Sequence, residues 1–220
     1  MNMESMESIE KMAKKGTTTV GVIGKDCVVL AADQRASMGN LVASNRTTKV
    51  YKVTDKIVMT MAGLAGDGQT LVRYLRSQLS LYILKKKKHP SVKASATLLS
   101  NILFSNRLSP FPFWVQLLLG GYDTQPYIYS LDSAGSMQEE NFVSTGSGSP
   151  VAYGLLEEGY KENMSKEEAI ALAVKSVNVA IKRDIYTGDG ITVYVIDKNS
   201  AKELPKSEIS AVLDEKKSRK

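Results

Sequence analysis

Gly16 and Thr17, in the stretch "KKGTTTVGV" (residues 14–22), place a hydroxyl nucleophile directly behind a residue with no side chain. The chain holds one histidine, His89, and one cysteine, Cys27, so a hydroxyl must find its general base elsewhere. An N-terminal residue carries such a base in its own α-amine. The unperturbed pKa of that amine is roughly 7.7–8, against about 10.4 for lysine, near the working pH where general bases transfer protons best. A threonine beside a free amine is an activated nucleophile. Thr17 has no free amine while Met1–Gly16 is attached, so this chemistry requires the Gly16–Thr17 bond to be cut. Glycine suits the join, because it lets the backbone approach a nucleophile and adopt a strained geometry.

The same counts exclude other chemistries. A Cys/His zinc site is not available, and a Ser-His-Asp arrangement would rest on His89 alone. His89 follows the run Lys85–Lys88 and precedes Pro90, the setting of a solvated loop histidine. Cys27 has no partner for an internal disulfide and fits a strand as a small hydrophobe. The net charge of +6 is spread along the chain, and its one dense basic run has no aromatic interleaving. That run reads as a solvated helix end rather than a nucleic-acid-binding face. No apolar run approaches the roughly 18 residues needed to cross a bilayer, and no apolar signal segment opens the chain. The expectation is a cytoplasmic protein that engages neither membrane nor nucleic acid.

The elements that must position Thr17 come in two similar halves. Strands are expected at 17–24 and 26–33, joined around Gly24-Lys25, and at 49–53 and 56–63, joined across Thr54-Asp55. Helical spacing follows over 66–84 (Val72, Leu75, Leu79, Tyr82) and 91–105 (Val92, Ala96, Leu99, Leu103), the second capped by Ser91. Strands return at 113–121, 126–132 and about 137–144. "FWVQLLL" (113–119) reads as a fully buried strand. A helix starts near Ser149-Pro150, and another opens with a capping box of Ser165 and Glu168. A strand at 190–197 and a charged tail ending in "DEKKSRK" complete the chain. At 220 residues this is one domain, with no linker to divide it. Hairpins separated by helix pairs predict an α+β fold: two antiparallel sheets face to face, a helix pair on each outer side. Residues 1–16 stand apart as a short tail; Met3, Met6, Ile9 and Met12 have helical spacing, but so short a helix is marginal alone.

In order and spacing, "GTTTVGV", "AADQRAS", "TTKVYKV", "MAGLAGD", "STGSGSPVAYG" and "RDIYTGDG" resemble a proteasome β subunit of the archaeal type, from Thr17 to about Asp197. The resemblance implies the four-layer αββα sandwich of the N-terminal-nucleophile hydrolases, and a threonine endopeptidase made from a zymogen by self-cleavage after Gly16. Residues 1–16 would be the propeptide and 17–220 the hydrolase domain. The resemblance makes Thr17 the nucleophile, Asp33 and Lys49 the acid and lysine beside it, and the backbone N–H of Gly63 the oxyanion donor. Ser147 and Asp184 match residues that support the threonine amine. So does Thr187, although the family usually has serine there. It also places Ala36, Thr47, Tyr51, Met61, Ala65 and Gln69 around the pocket for the residue before the cut bond, with Met61 as floor and no charge in the lining. The implied assembly has stacked seven-membered rings, β inside and α outside. An unfolding ATPase would supply unfolded proteins, and hydrolysis would need no cofactor or metal.

Each residue has a plainer reading on its own. Asp33 could be a strand-end aspartate beside Arg35, Lys49 a solvent-facing lysine, and Gly63 a turn between strand and helix. Ser147 could be a helix cap, Asp184 half of a surface ion pair beside Arg183, and "TTT" simply good strand material. Met61 and Ala65 could be ordinary core. Among rival assemblies, a bacterial-type six-membered ring fits "STGSGSPVAYG" and the 16-residue tail less well. A non-cutting ring scaffold typically lacks the threonine, the lysine or the glycine, all of which are present here.

Overall fold

A computed structural model describes residues 16–214. The tail with its spaced methionines, up to residue 15, and the last residues of "DEKKSRK", from 215, lie outside the described residues. The chain order is β1 (Thr19–Gly24), β2 (Cys27–Asp33), β3 (Ala36–Met38), β4 (Leu41–Ser44), β5 (Val50–Lys52) and β6 (Ile57–Gly63). Helices α1 (Ala65–Lys86) and α2 (Val92–Asn106) follow, then β7 (Val115–Tyr122), β8 (Pro126–Leu131), β9 (Met137–Glu140) and β10 (Phe142–Thr145). The rest is α3 (Ser149–Gly159), α4 (Lys166–Arg183), β11 (Ile191–Asp197), β12 (Ala201–Glu203) and α5 (Lys206–Asp214).

Two antiparallel five-stranded sheets, ordered β10-β1-β2-β11-β12 and β5-β6-β7-β8-β9, pack face to face. Strands β2 and β6 are buried on both faces because both faces are covered. On β2, Val28, Leu30 and Ala32 pack between the sheets with Val58, Leu118 and Ile128. Cys27, Val29 and Ala31 turn to α3 and α4, where they meet Leu156, Ala173 and Val177. Burial pushes the Cys27 thiol up. On β6, Ile57, Met59 and Met61 turn to α1 and α2, against Leu75 and Leu99. The helix stripes are therefore buried as expected except at Tyr82, which is exposed near the end of α1, and the result is the αββα sandwich. The caps behave as their residue types dictate: Ser91 accepts from Ala94 N, and Ser165 with Glu168 forms a complete capping box.

Four local readings are corrected. The strand expected over 137–144 is two strands in different sheets. β9 pairs with β8, and β10 pairs with β1. Alternation along the chain is the same in either sheet, so period alone cannot reveal the crossover at Asn141. β1 begins only at Thr19, which leaves Thr17 and Thr18 in irregular backbone. "FWVQLLL" is not buried throughout: β7 begins at Val115, and Gln116 is exposed. The stretch after Asp197 includes β12 and α5, whose Ile209 packs with the α3–α4 layer. The β3–β4 hairpin went unread; its two-residue turn is Gly39-Asn40, with Gly39 at φ +58°. Gly-Asn between apolar residues is a hairpin signal. Among the described residues, no helix is long and apolar enough to cross a membrane.

Candidate active site

One end of the sandwich gathers the chemistry. Antiparallel pairing puts the start of β1 beside the end of β2, and Asp33 at the end of β2 opposite Ile191 at the start of β11. In the other sheet the start of β5 lies beside the end of β6, where Met61 N donates to Lys49 O. Asp33, Lys49, Gly63 and the segment 16–18 thus converge from four strand ends.

Asp33 is fully buried. Its Oδ1 accepts from Thr18 N at 3.0 Å and from Lys49 Nζ at 2.8 Å. Its Oδ2 accepts from Arg35 N at 3.1 Å and Gly188 N at 3.0 Å. Four donors fix the carboxylate, as a buried charge requires. Lys49 is 4% exposed and is not solvent-facing. Burial pushes its ammonium pKa down, and the Asp33 charge and hydrogen bond pull it back up.

The other carboxyl of the site, Asp184, directly follows α4. Its Oδ2 accepts from Ser147 Oγ at 2.5 Å and Thr187 Oγ1 at 2.6 Å, and its Oδ1 from Tyr186 N at 3.1 Å. It forms these hydroxyl contacts instead of the surface pair with Arg183. Ser147 does not cap α3, whose N-cap is Gly148. Ser147 Oγ accepts from Thr17 N at 3.2 Å instead. Gly146, at φ +93°, and Gly148 make this possible. A side chain on either would overlap Thr17 or Thr18.

At the Gly16–Thr17 bond, the Gly16 carbonyl oxygen accepts from Thr17 Oγ1 at 2.7 Å and Lys49 Nζ at 3.2 Å. Gly16 N donates to Ser37 Oγ at 3.2 Å. Gly16 is required here for space rather than for an unusual φ: a Cβ would overlap Cβ of Tyr186. Gly63 needs both freedoms, with φ +117° and the Trp114 carbonyl oxygen where a Cβ would stand.

Of the expected pocket residues, Tyr51 and Ala65 pack on the cluster that contains Met61. Met61 is 4% exposed and its sulfur lies against Gly68 of α1, so it is also a core residue. Tyr51 donates to Thr48 O at 2.6 Å, and Gln69 is an exposed residue of α1. Ala36 belongs to the β3–β4 hairpin, and Thr47 N donates to Gln34 O at 2.8 Å. His89 is exposed in the α1–α2 loop. Three contributors went unread as site residues: Ser37 and Tyr186, which bracket Gly16, and Thr18. Thr18 was hidden in "TTT" because strand propensity explains it adequately. Tyr186 and Ser37 contact Gly16 only across the fold, and no local signal marks that.

The family model described as "Proteasome subunit" matches residues 13–196. This chain belongs to the proteasome subunit family. It is 50% identical over 208 residues to "Proteasome subunit beta" of Methanocaldococcus vulcanius, covering 93% of this chain and 92% of that one. A protein of the same description from Ferroglobus placidus is 50% identical, over 91% of this chain and 95% of its own. "Proteasome subunit beta 1" of Thermococcus onnurineus is 47% identical, over 90% and 97%. At Thr187, where the resemblance implies a serine, the hydroxyl reaches Asp184.

Proposed function

We propose that this chain is a catalytic β subunit of the 20S proteasome core: a threonine endopeptidase of the N-terminal-nucleophile class that hydrolyses unfolded proteins. Residues 1–16 are its propeptide, and Thr17 is the nucleophile that their removal exposes. The observation that carries this reading is the convergence of the Thr17 hydroxyl and the Lys49 ammonium on the Gly16 carbonyl.

In self-cleavage, Thr17 Oγ attacks the Gly16 carbonyl carbon, the C–N bond breaks, and the acyl group passes to oxygen as an ester. The hydroxyl proton ends on the new amine. Water then hydrolyses the ester and releases residues 1–16. On a substrate, the freed amine takes the Thr17 proton and the oxygen attacks the scissile carbonyl. The Gly63 N–H meets the developing oxyanion, a contact type that contributes about 3–4 kcal/mol. The amine returns its proton to the leaving group, and water clears the acyl ester. The Lys49 ammonium favours the alkoxide and, by like charge, keeps the amine neutral, while Asp33 holds Lys49 in place. Ser147, Asp184 and Thr187 hold the amine.

The subunit works within stacked seven-membered rings with proteasome α subunits and other β subunits, fed by an unfolding ATPase in the cytoplasm. Such enclosure suits an unselective peptidase. The deciding test is the intact mass of the chain co-expressed with an α subunit, beside Thr17→Ala. Loss of residues 1–16 in the parent alone is the expected result; a parent that keeps its tail inside assembled rings would make it a scaffold. The expected lining of Ala36, Thr47, Tyr51, Met61, Ala65 and Gln69 carries no charged side chain, which favours apolar or aromatic residues before the cut bond. On fluorogenic peptides, cleavage after leucine or tyrosine should outpace cleavage after glutamate or arginine. The reverse order would remove these residues from the pocket.

A further inference from the structure

From its contacts, we infer that Thr18 is a positioning residue that ties the lysine side of the site to the side that holds the Thr17 amine; this rests on the reading of Thr17 as nucleophile. Thr18 is fully buried. Its N–H donates to Asp33 Oδ1 at 3.0 Å, and its carbonyl accepts from Asp33 N at 3.2 Å. Its hydroxyl lies 2.8 Å from Thr187 Oγ1.

Proton counting sets the direction of that contact. Thr187 has one hydroxyl proton and gives it to Asp184 Oδ2 at 2.6 Å. Thr18 must therefore be the donor to Thr187. Ser147 Oγ lies 2.5 Å from Asp184 Oδ2 and 3.4 Å from Thr17 O; the shorter contact takes its proton, which leaves Ser147 Oγ as acceptor for Thr17 N. One directed chain thus runs from Thr18 through Thr187 to Asp184, and a second reaches Asp184 from Thr17 through Ser147. Hydrogen bonds in series reinforce one another, so losing the first donor weakens the grip on Asp184. The cavity has no slack: a Cβ on Gly148 would overlap Thr18 Oγ1. The hydroxyl of Thr18, beyond the strand propensity of its type, has a task.

The test compares parent, Thr18→Ser, Thr18→Val and Thr18→Ala in rings assembled with an α subunit, by leader mass and by kcat, KM and pH profile on one peptide. Thr18→Ser should match the parent. Thr18→Val and Thr18→Ala should keep KM and lose roughly tenfold in kcat, a fraction of what a positioned general base supplies. Their acid limb should move to lower pH, because a loosened Ser147–Asp184 pair favours the protonated amine less. Unchanged kcat and limb in Thr18→Val or Thr18→Ala overturns the inference. So does a Thr18→Ser variant as impaired as Thr18→Val, since packing would then be the cause. If Thr18→Val and Thr18→Ala both fail to assemble while Thr18→Ser assembles, the hydroxyl serves folding, and the positioning role falls. A parent without Thr17-dependent hydrolysis removes this inference together with the protease reading; a cutting parent with indifferent Thr18 variants removes this inference alone.

Discussion

Lys49→Ala is expected to leave residues 1–16 attached, to abolish peptide hydrolysis and to lower thermal stability by many degrees. The stability loss follows from Asp33, which is fully buried and pairs with Lys49 at 2.8 Å. Removing one partner of such a pair costs about 3–5 kcal/mol, because the other charge stays buried and unpaired. For a chain of this length each kcal/mol lowers Tm by roughly 2–4 °C, so calorimetry should show a drop of about 6–20 °C. The cleavage loss follows separately, from the ammonium on the Gly16 carbonyl. Lys49→Arg should not rescue it, since a planar guanidinium cannot replace a compact ammonium in so closed a space. The parent supplies a pH test of the same residue. Burial lowers the Lys49 pKa despite Asp33, so the folded protein gives up this proton at a lower pH than free lysine does. Activity that needs the ammonium is present below that pKa and lost as pH rises through it. The alkaline limb of kcat/KM should therefore come earlier than an ordinary lysine would place it. A Lys49→Ala protein that still sheds its leader would remove the lysine from the mechanism.

Gly16→Ala should slow self-cleavage by on the order of a hundredfold, the cost of moving a reacting group by about 1 Å. The added methyl would overlap Cβ of Tyr186 and lie 2.7 Å from its Cα. Backbone and Cβ cannot swing away as a side-chain tip can. The Gly16 carbonyl must then leave the position where it meets Thr17 Oγ1 and Lys49 Nζ. Folding should be little affected, because the strain falls in the segment before β1. A time course of leader loss by intact mass, after mixing with the α subunit, measures the effect. An unchanged half-life would mean that residues 1–16 leave Tyr186 before the bond is cut.

The sandwich was legible because most of its elements advertise themselves locally. The two-residue turn after Gly24, the short connection between β5 and β6, the Ser165–Glu168 box, and the stripes of α1 and α4 each act over a few residues. The failures share one cause. The crossover at Asn141 depends on which sheet a strand joins, and α5 depends on Ile209 finding the α3–α4 layer. Neither is a property of the segment itself.

The candidate site divides in the same way. The scarcity of histidine and cysteine, the glycine before the threonines, and the motifs around Asp33, Lys49 and Ser147 are facts of sequence. They sufficed to point to a threonine that needs its own amine. Tertiary structure alone decided that Lys49 is buried against Asp33 rather than solvated, and that Ser147 and Asp184 meet in a hydrogen bond. It also decided why residue 16 must be glycine: Tyr186 stands where a side chain would go. These partners are 16, 37 and 170 residues apart in the chain. Contacts at such separations arise only when strands and helices distant in the chain pack on one another, and no local pattern in the sequence records them.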